Sequence, residues 1–322
     1  VFKAHDIGYF FYNGGNDSAD TAFKVSKISK KIGYPINCIA IPKTVDNDLA
    51  VTDSCPGFGS AAKYIATSIM EASLDVASMS ETSTKVFILE VMGRNAGWLA
   101  ASSALARSTN KDAPHIILMP EVTFNKKKFL SRVKKVVSHN GYCVVVASEG
   151  VKNTKGKFLA ETNLKDAFGH AQLGGVAPYL SSLINEELKL KNHWAISDYL
   201  QRSARHISSK TDLLHAEAVG IHAVKFAING MNGVMPVIER GDGKKYSWKI
   251  KPASLSKIAN VEKKLPKSFI SKDGFNVTTK AIAYLQPLII GEAFPKFKNG
   301  IPVKANLKLV QVAKKLKKWR AD

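Results

Sequence analysis

An α/β fold built on mostly parallel sheet is predicted by three features: short apolar runs of buried-strand type, amphipathic stretches that alternate with them, and polar clusters where the runs end. A strand, helix, strand unit brings its two strands parallel, and ligands of such sheets gather at the carboxyl ends of the strands. The first run spans residues 7–13 (IGYFFYN) and is followed by Gly14-Gly15. Over residues 18–32, Ala22, Val25, Ile28 and Ile32 recur at helical spacing with Lys24, Lys27, Lys30 and Lys31 between them, and Gly33 stops the helix. Residues 36–41 complete the unit as a second strand. The alternation continues through a helix over 60–78, a strand over 85–91, a helix opening near Asn95, a strand over 115–119, a helix over 127–139 and a strand over 142–147. Helices are predicted again over 171–188 and 209–228, and strands over 233–239 and 246–250. Residues 251–275, rich in lysine and serine, read as a surface excursion, and residues 306–319 as a basic helix.

With 322 residues and 45% hydrophobic composition the chain can bury one large or two ordinary domain cores. No apolar run approaches the ~20 residues that cross a bilayer, and the N-terminus lacks the order of a signal peptide, so no membrane partner is expected. Cys38, Cys55 and Cys143 are odd in number and lack metal-ligand spacing, which fits a reducing cytoplasm better than a disulfide framework. Val1 opens directly in a strand-like pattern, so the natural start is expected to lie upstream. The formal charge of +21 attracts polyanions. Its lysines, however, lie along helix-like faces without interleaved aromatics, which favours a small anionic substrate over nucleic acid. His193, His206 and His215 have no paired metal-ligand spacing.

Three loops carry chemistry. Gly14-Gly15-Asn16-Asp17-Ser18 follows a strand and opens a helix, where free N–H groups meet anions and glycine allows close approach. Pro42-Lys43-Thr44-Val45-Asp46-Asn47-Asp48 places a cation, a hydroxyl and two carboxylates after the next strand. That is equipment for phosphoryl transfer, although a polar turn would use the same residue types. Met92-Gly93-Arg94-Asn95-Ala96-Gly97-Trp98 sets an arginine between glycines at another strand end, and a guanidinium there either stabilises transferring phosphate or caps the turn. Glu149-Gly150 ends a further strand and reads as a turn near these loops.

In this order these loops, with Pro120-Glu121-Val122 and Tyr199-Leu200-Gln201-Arg202, resemble the phosphofructokinase family, specifically its pyrophosphate-dependent branch, over nearly the whole chain. The resemblance implies two Rossmann-like three-layer α/β/α domains with the active site in the cleft between them. Residues 1–58 and about 200–250 would form the phosphate-donor domain, and residues 59–199 and 251–322 the fructose 6-phosphate domain. It implies transfer of a phosphoryl group from pyrophosphate to the 1-hydroxyl of fructose 6-phosphate, with Asp46 as general base and Arg94 facing the transition state. Thr44, Asp48, Met92, Gly93 and Glu121 would bind the sugar, Tyr199 and Arg202 its 6-phosphate, and Lys85 the 6-phosphate of an adjacent subunit in a homodimer or homotetramer. Gly15, Asp17 and Lys43 would receive the diphosphate, Asp17 and Lys43 filling space that glycines leave open for a nucleotide in the ATP-using branch. Mg²⁺ is implied as cofactor, with Asn16 where most relatives carry a metal-binding aspartate. An ATP-dependent kinase and a noncatalytic sugar-phosphate-binding homologue are the alternatives. The family's first strand and glycine-rich loop precede the position of Val1, so this chain alone is expected to be poorly active or insoluble.

Overall fold

The computed structural model describes residues 1–109, 111–159, 161–165, 171–173 and 175–318. Its strands are β1 (Tyr9–Gly14), β2 (Asn37–Pro42), β3 (Val86–Val91), β4 (Ile116–Leu118), β5 (Cys143–Ser148), β6 (Glu161–Lys165), β7 (Ala171–Leu173), β8 (Asn192–Ile196), β9 (Val234–Arg240), β10 (Trp248–Ser254), β11 (Phe297–Lys298) and β12 (Ile301–Pro302). Its α-helices are α1 (Asn16–Lys31), α2 (Phe58–Met79), α3 (Trp98–Ser102), α4 (Lys126–Asn140), α5 (Val176–Leu188), α6 (Leu200–Ser203), α7 (Lys210–Ile228) and α8 (Thr279–Leu285).

The strands assemble into two four-stranded sheets, ordered β1-β2-β9-β10 and β4-β5-β3-β8, with β6-β7 and β11-β12 as separate pairs. In the first sheet β1, β2 and β9 run parallel and β10 returns antiparallel. The second sheet is parallel throughout. Each is a three-layer unit. One face of the second sheet packs Leu89, Val91, Ile117, Val144 and Val146 against α2, α3 and α8. The other packs Val86, Ile88, Ile116, Cys143 and Val145 against α4 and α5. The first sheet lies between α1 with Leu255 and Ile258 on one face and α7 on the other. Parallel strands buried on both faces explain the unbroken β-branched runs such as CVVVAS in β5.

Several expectations are corrected. The helix over 171–188 begins only at Val176, and Ala171–Leu173 is strand. Gly175 takes the left-handed conformation (φ 100°), and the buried Glu90 carboxylate accepts from the N–H groups of Gly175 (3.2 Å) and Ala177 (2.8 Å), fixing the helix start there. The buried face of α1 is Ala19, Ala22, Ser26 and Ser29, while Ile28 and Ile32 are exposed. Small side chains are needed where this helix lies close on the sheet. β1 is an edge strand in this sheet, with Tyr9, Phe11 and Tyr12 exposed. Residues 251–275 are not a surface excursion: β10 runs on to Ser254, and Leu255, Ile258 and Leu265 enter the cores. No helix forms over 306–318, where Leu307, Leu309, Val310 and Val312 are exposed, because a short lysine-rich stretch without a packing surface does not hold helix; Trp319 lies outside the described residues. β8 was not anticipated, since Asn192–Ile196 lacks a clean apolar run. Among the described residues no helix is long and apolar enough to cross a membrane.

Candidate active site

Parallel pairing gathers the polar loops at one end of the strands. β1 and β2 are neighbours, so the loop 14–17 meets Lys43: its N–H donates to the Gly14 carbonyl at 3.1 Å. A side chain at Gly15 would lie against the Lys43 carbonyl and the Thr44 side chain, both at 3.9 Å. Gly15 is the N-cap of α1, so its neighbours present N–H groups at a positive helix end, and Asp17 and Lys43 are exposed on either side. The Asn16 amide group, oriented as its neighbours require, donates to the carbonyls of Ile258 and Val261 at 3.3 Å each. Its oxygen is thereby left to accept.

The loop after β2 is shaped by its own hydroxyl and amide. Thr44 Oγ1 accepts from the Asp46 N–H at 3.1 Å and its hydroxyl bonds to Asp48. Asn47, fully buried at φ 54°, accepts from the Cys55 N–H at 2.9 Å. The turn leaves Asp46 Oδ1 buried without a protein partner. Burial first, then the carboxylates of Asp48 and Glu149, push the Asp46 carboxyl up to about 7, against the opposing pull of Arg94 and Lys43. Burial likewise raises Asp48 and Glu149.

Arg94 stands at the end of β3, the central pair partner of both β5 and β8. Gly93 adopts φ 132°, and its N–H donates to Glu149 Oε1 at 3.2 Å while its carbonyl accepts from Ser148 Oγ at 2.5 Å. Gly150 passes directly beneath: a Cβ there would come within 1.9 Å of the Arg94 carbonyl oxygen. On the other side Gln201 accepts from the Met92 N–H at 3.3 Å, tying the segment 199–202 to this loop. Tyr199 and Arg202, both exposed, pair as a stack with the guanidinium 4.0 Å from the ring centre. A cleft of about 330 Å³ opens nearby, lined by Lys43, Gln201, Arg202 and Arg205 among others.

The structure therefore groups Asp46, Asp48, Thr44, Arg94, Met92, Gly93 and Lys43, with Tyr199 and Arg202 alongside through Gln201. Glu121 is placed differently: its carboxylate accepts from the N–H groups of Gly97 (3.0 Å) and Leu265 (2.9 Å) and braces the arginine loop from behind. Lys85 lies at the opposite end of β3, its ammonium donating to the Ser80 and Glu81 carbonyls that end α2. Glu149 is the carboxylate that joins the group, and its signal was its place at the end of β5, adjacent to β3. Gln201 and Lys263 gave no signal, since one sits inside a short motif and the other inside a lysine-rich stretch. Among the described residues no three His, Cys, Asp or Glu side chains converge into a metal cage.

The Phosphofructokinase family matches residues 1–227. The chain belongs to the phosphofructokinase family. Among relatives of this phosphofructokinase, the pyrophosphate–fructose 6-phosphate 1-phosphotransferase of Xanthomonas campestris is 58% identical over 321 residues, covering 99% of this chain and 77% of the relative. That of Halomonas elongata is 55% identical over 99% of this chain and 76% of the relative. A crystal structure of a pyrophosphate-dependent phosphofructokinase from Marinobacter aquaeolei superposes with a TM-score of 0.90 at 55% identity, over 98% of this chain and 76% of that one.

Proposed function

We propose that the chain is the phosphotransferase that moves a phosphoryl group reversibly from pyrophosphate to the 1-hydroxyl of fructose 6-phosphate, giving fructose 1,6-bisphosphate in glycolysis. The observation that carries this reading is the buried, unpartnered Asp46 oxygen held near Arg94 and poised near neutral pH. A base matched to the working pH takes the hydroxyl proton as the oxygen attacks, and the guanidinium of Arg94 meets the charge on the migrating phosphoryl group. Glu149, Asp48 and Thr44 offer acceptors to sugar hydroxyls, with Met92 and Gly93 lining the ring; Glu121 serves by bracing their loop. Tyr199 and Arg202 receive the 6-phosphate, and Lys85 reaches that of a neighbouring subunit in a homodimer or homotetramer.

Gly15, Asp17 and Lys43 form the diphosphate end. Asp17 fills and charges the space a nucleotide α-phosphate would need, and Lys43 pairs with a terminal phosphate. Asn16 and Asp48 would help to hold Mg²⁺ at this end, where it would neutralise donor charge. Residues 1–58 with about 200–258 act as the donor domain and residues 59–199 with about 259–322 as the sugar domain, in the cytoplasm, the boundary expected at 250 moving on because β10 and Leu255 and Ile258 stay with the first sheet.

The test is a donor assay on the full-length protein. Pyrophosphate is expected to exceed ATP in kcat/KM by at least two orders of magnitude, and Asp17→Gly with Lys43→Gly to narrow that gap from both sides. Equal use of both donors by the unaltered enzyme would overturn the donor assignment, while full activity of Asp46→Asn would overturn the mechanism.

A further inference from the structure

Lys263 belongs to no predicted site, yet it touches both loops that carry the chemistry. Its backbone N–H donates to the Asp48 carbonyl at 2.7 Å, and its carbonyl accepts from Trp98 Nε1 at 2.9 Å. Its side chain turns inward and spends its three donors on Asn47 Oδ1 (3.2 Å), the Thr52 carbonyl (3.0 Å) and the Asp53 carbonyl (2.7 Å). The ammonium also stands 5.3 Å from the centre of the Trp98 ring. One residue back, Glu262 accepts from Asn95 Nδ2 at 2.5 Å, and it bridges Leu49 through the backbone. Asn47 and Asp48 follow Asp46 directly; Asn95 and Trp98 follow Arg94.

An ammonium taken out of water is unfavourable unless its donors and charge are answered, and here every proton has a fixed acceptor. Two of those acceptors are main-chain carbonyls of the turn 52–53, itself anchored by the Arg240 Nε pair with Asp53 (3.1 and 3.0 Å). The third is the side chain of Asn47, the one residue between the two carboxylates, itself held at positive φ. Lys263 thus fixes the loop of Asp46 to the frame of the first sheet and, through Trp98, to the loop of Arg94.

We propose that Lys263 is a positioning residue for phosphoryl transfer, setting the separation between Asp46 and Arg94 through Asn47 and Trp98. This rests on the roles proposed above for that pair. Small displacements of reacting groups cost rate without costing binding, because orientation is realised in the transition state.

The test is a double-mutant cycle in the full-length enzyme, read as kcat and KM for fructose 6-phosphate and for pyrophosphate. Lys263→Met is expected to lower kcat about 10-fold or more with both KM values within about 3-fold, and to lower the residual kcat of Asp46→Asn by less than about 3-fold. If Lys263→Met does not fold, Lys263→Arg serves, because a planar fork cannot meet the same three acceptors unless Asn47 shifts; it is expected to show the same non-additivity at smaller amplitude. A buried lysine that only supports the fold would leave kcat per folded molecule unchanged, or lower it equally in both backgrounds. Either result overturns the proposal while leaving the role of Asp46 intact. Full activity of Asp46→Asn alone would instead remove the reading on which it rests.

Discussion

At Asp46 one carboxylate oxygen is buried without a protein partner, and burial together with the Asp48 and Glu149 carboxylates raises its proton affinity to about 7. Two measurable effects follow, of opposite practical sign. For chemistry the base proposed at Asp46 must be ionised, so log kcat/KM should climb with a slope of one as pH rises to about 7 and then level off. For stability the folded state holds this proton more tightly than the unfolded state, whose carboxyl titrates near 3.8. The folded protein therefore loses stability from this group as pH rises from about 4 to about 7, and the cost is complete above that. Asp46→Asn should remove it: thermal melts should show the variant more stable at pH 8 by on the order of 2–4 kcal/mol, with the gain vanishing near pH 4. The same substitution should lower kcat by roughly 10²–10⁴-fold. The loops of this pair were legible because they are local, a hydroxyl two residues before one carboxylate and glycines around a guanidinium, but each loop alone reads equally as a turn, and the roles proposed for the pair come from the order of the motifs, which resembles the phosphofructokinase family. Glu149 was legible only as a strand end, since nothing in the chain near it announces that β5 lies beside β3.

Among the elements, β3, β4 and β5 of the second sheet were the most legible, because burial on both faces leaves continuous apolar runs, whereas β8 at the sheet edge leaves none. Helix faces were less so. The stripe of Val25, Ile28 and Ile32 in α1 follows helical spacing, yet close packing on the sheet selects the small side chains of Ala19, Ala22, Ser26 and Ser29 instead. A hydrophobic pattern records which residues prefer to be buried and not how closely the neighbouring layer approaches. The stretch 251–275 misled for the converse reason: its few apolar residues, Leu255, Ile258 and Leu265, are the ones that enter the cores, and Lys263 turns inward onto three acceptors that no apolar count can register. Junctions between elements are where substitution should be most damaging. Gly150→Ala would drive a methyl into the Arg94 carbonyl, so activity should fall at least 100-fold while α/β content by circular dichroism stays near that of the parent. Asp212 acts differently. Its carboxylate accepts from the Gly57 N–H (3.0 Å), the Ser60 N–H (3.1 Å) and the Ser60 hydroxyl (2.6 Å) at the start of α2. Asp212→Ala should cost about 2–4 kcal/mol in denaturant melts by leaving those donors unmet, with kcat of the folded fraction little changed.

For the whole molecule, the parallel arrangement turns a list of scattered loops into one candidate site, because β1 with β2 and β3 with β5 and β8 run parallel and their loops follow at the same strand ends. The charge of +21 acts on the same scale. Since both proposed substrates are polyanions, KM values should rise several-fold between about 0.02 and 0.2 M salt while kcat stays level, and a flat response would mean that the lysines play no part in capture. One feature of the first sheet has consequences beyond the reaction. Among the described residues β1 pairs only with β2, and Tyr9, Phe11 and Tyr12 are exposed along it. Exposed ribbons of this kind zip onto any strand on offer, so light scattering from these 322 residues should grow with concentration, and either Phe11→Lys or the upstream residues of a longer chain should hold it clear.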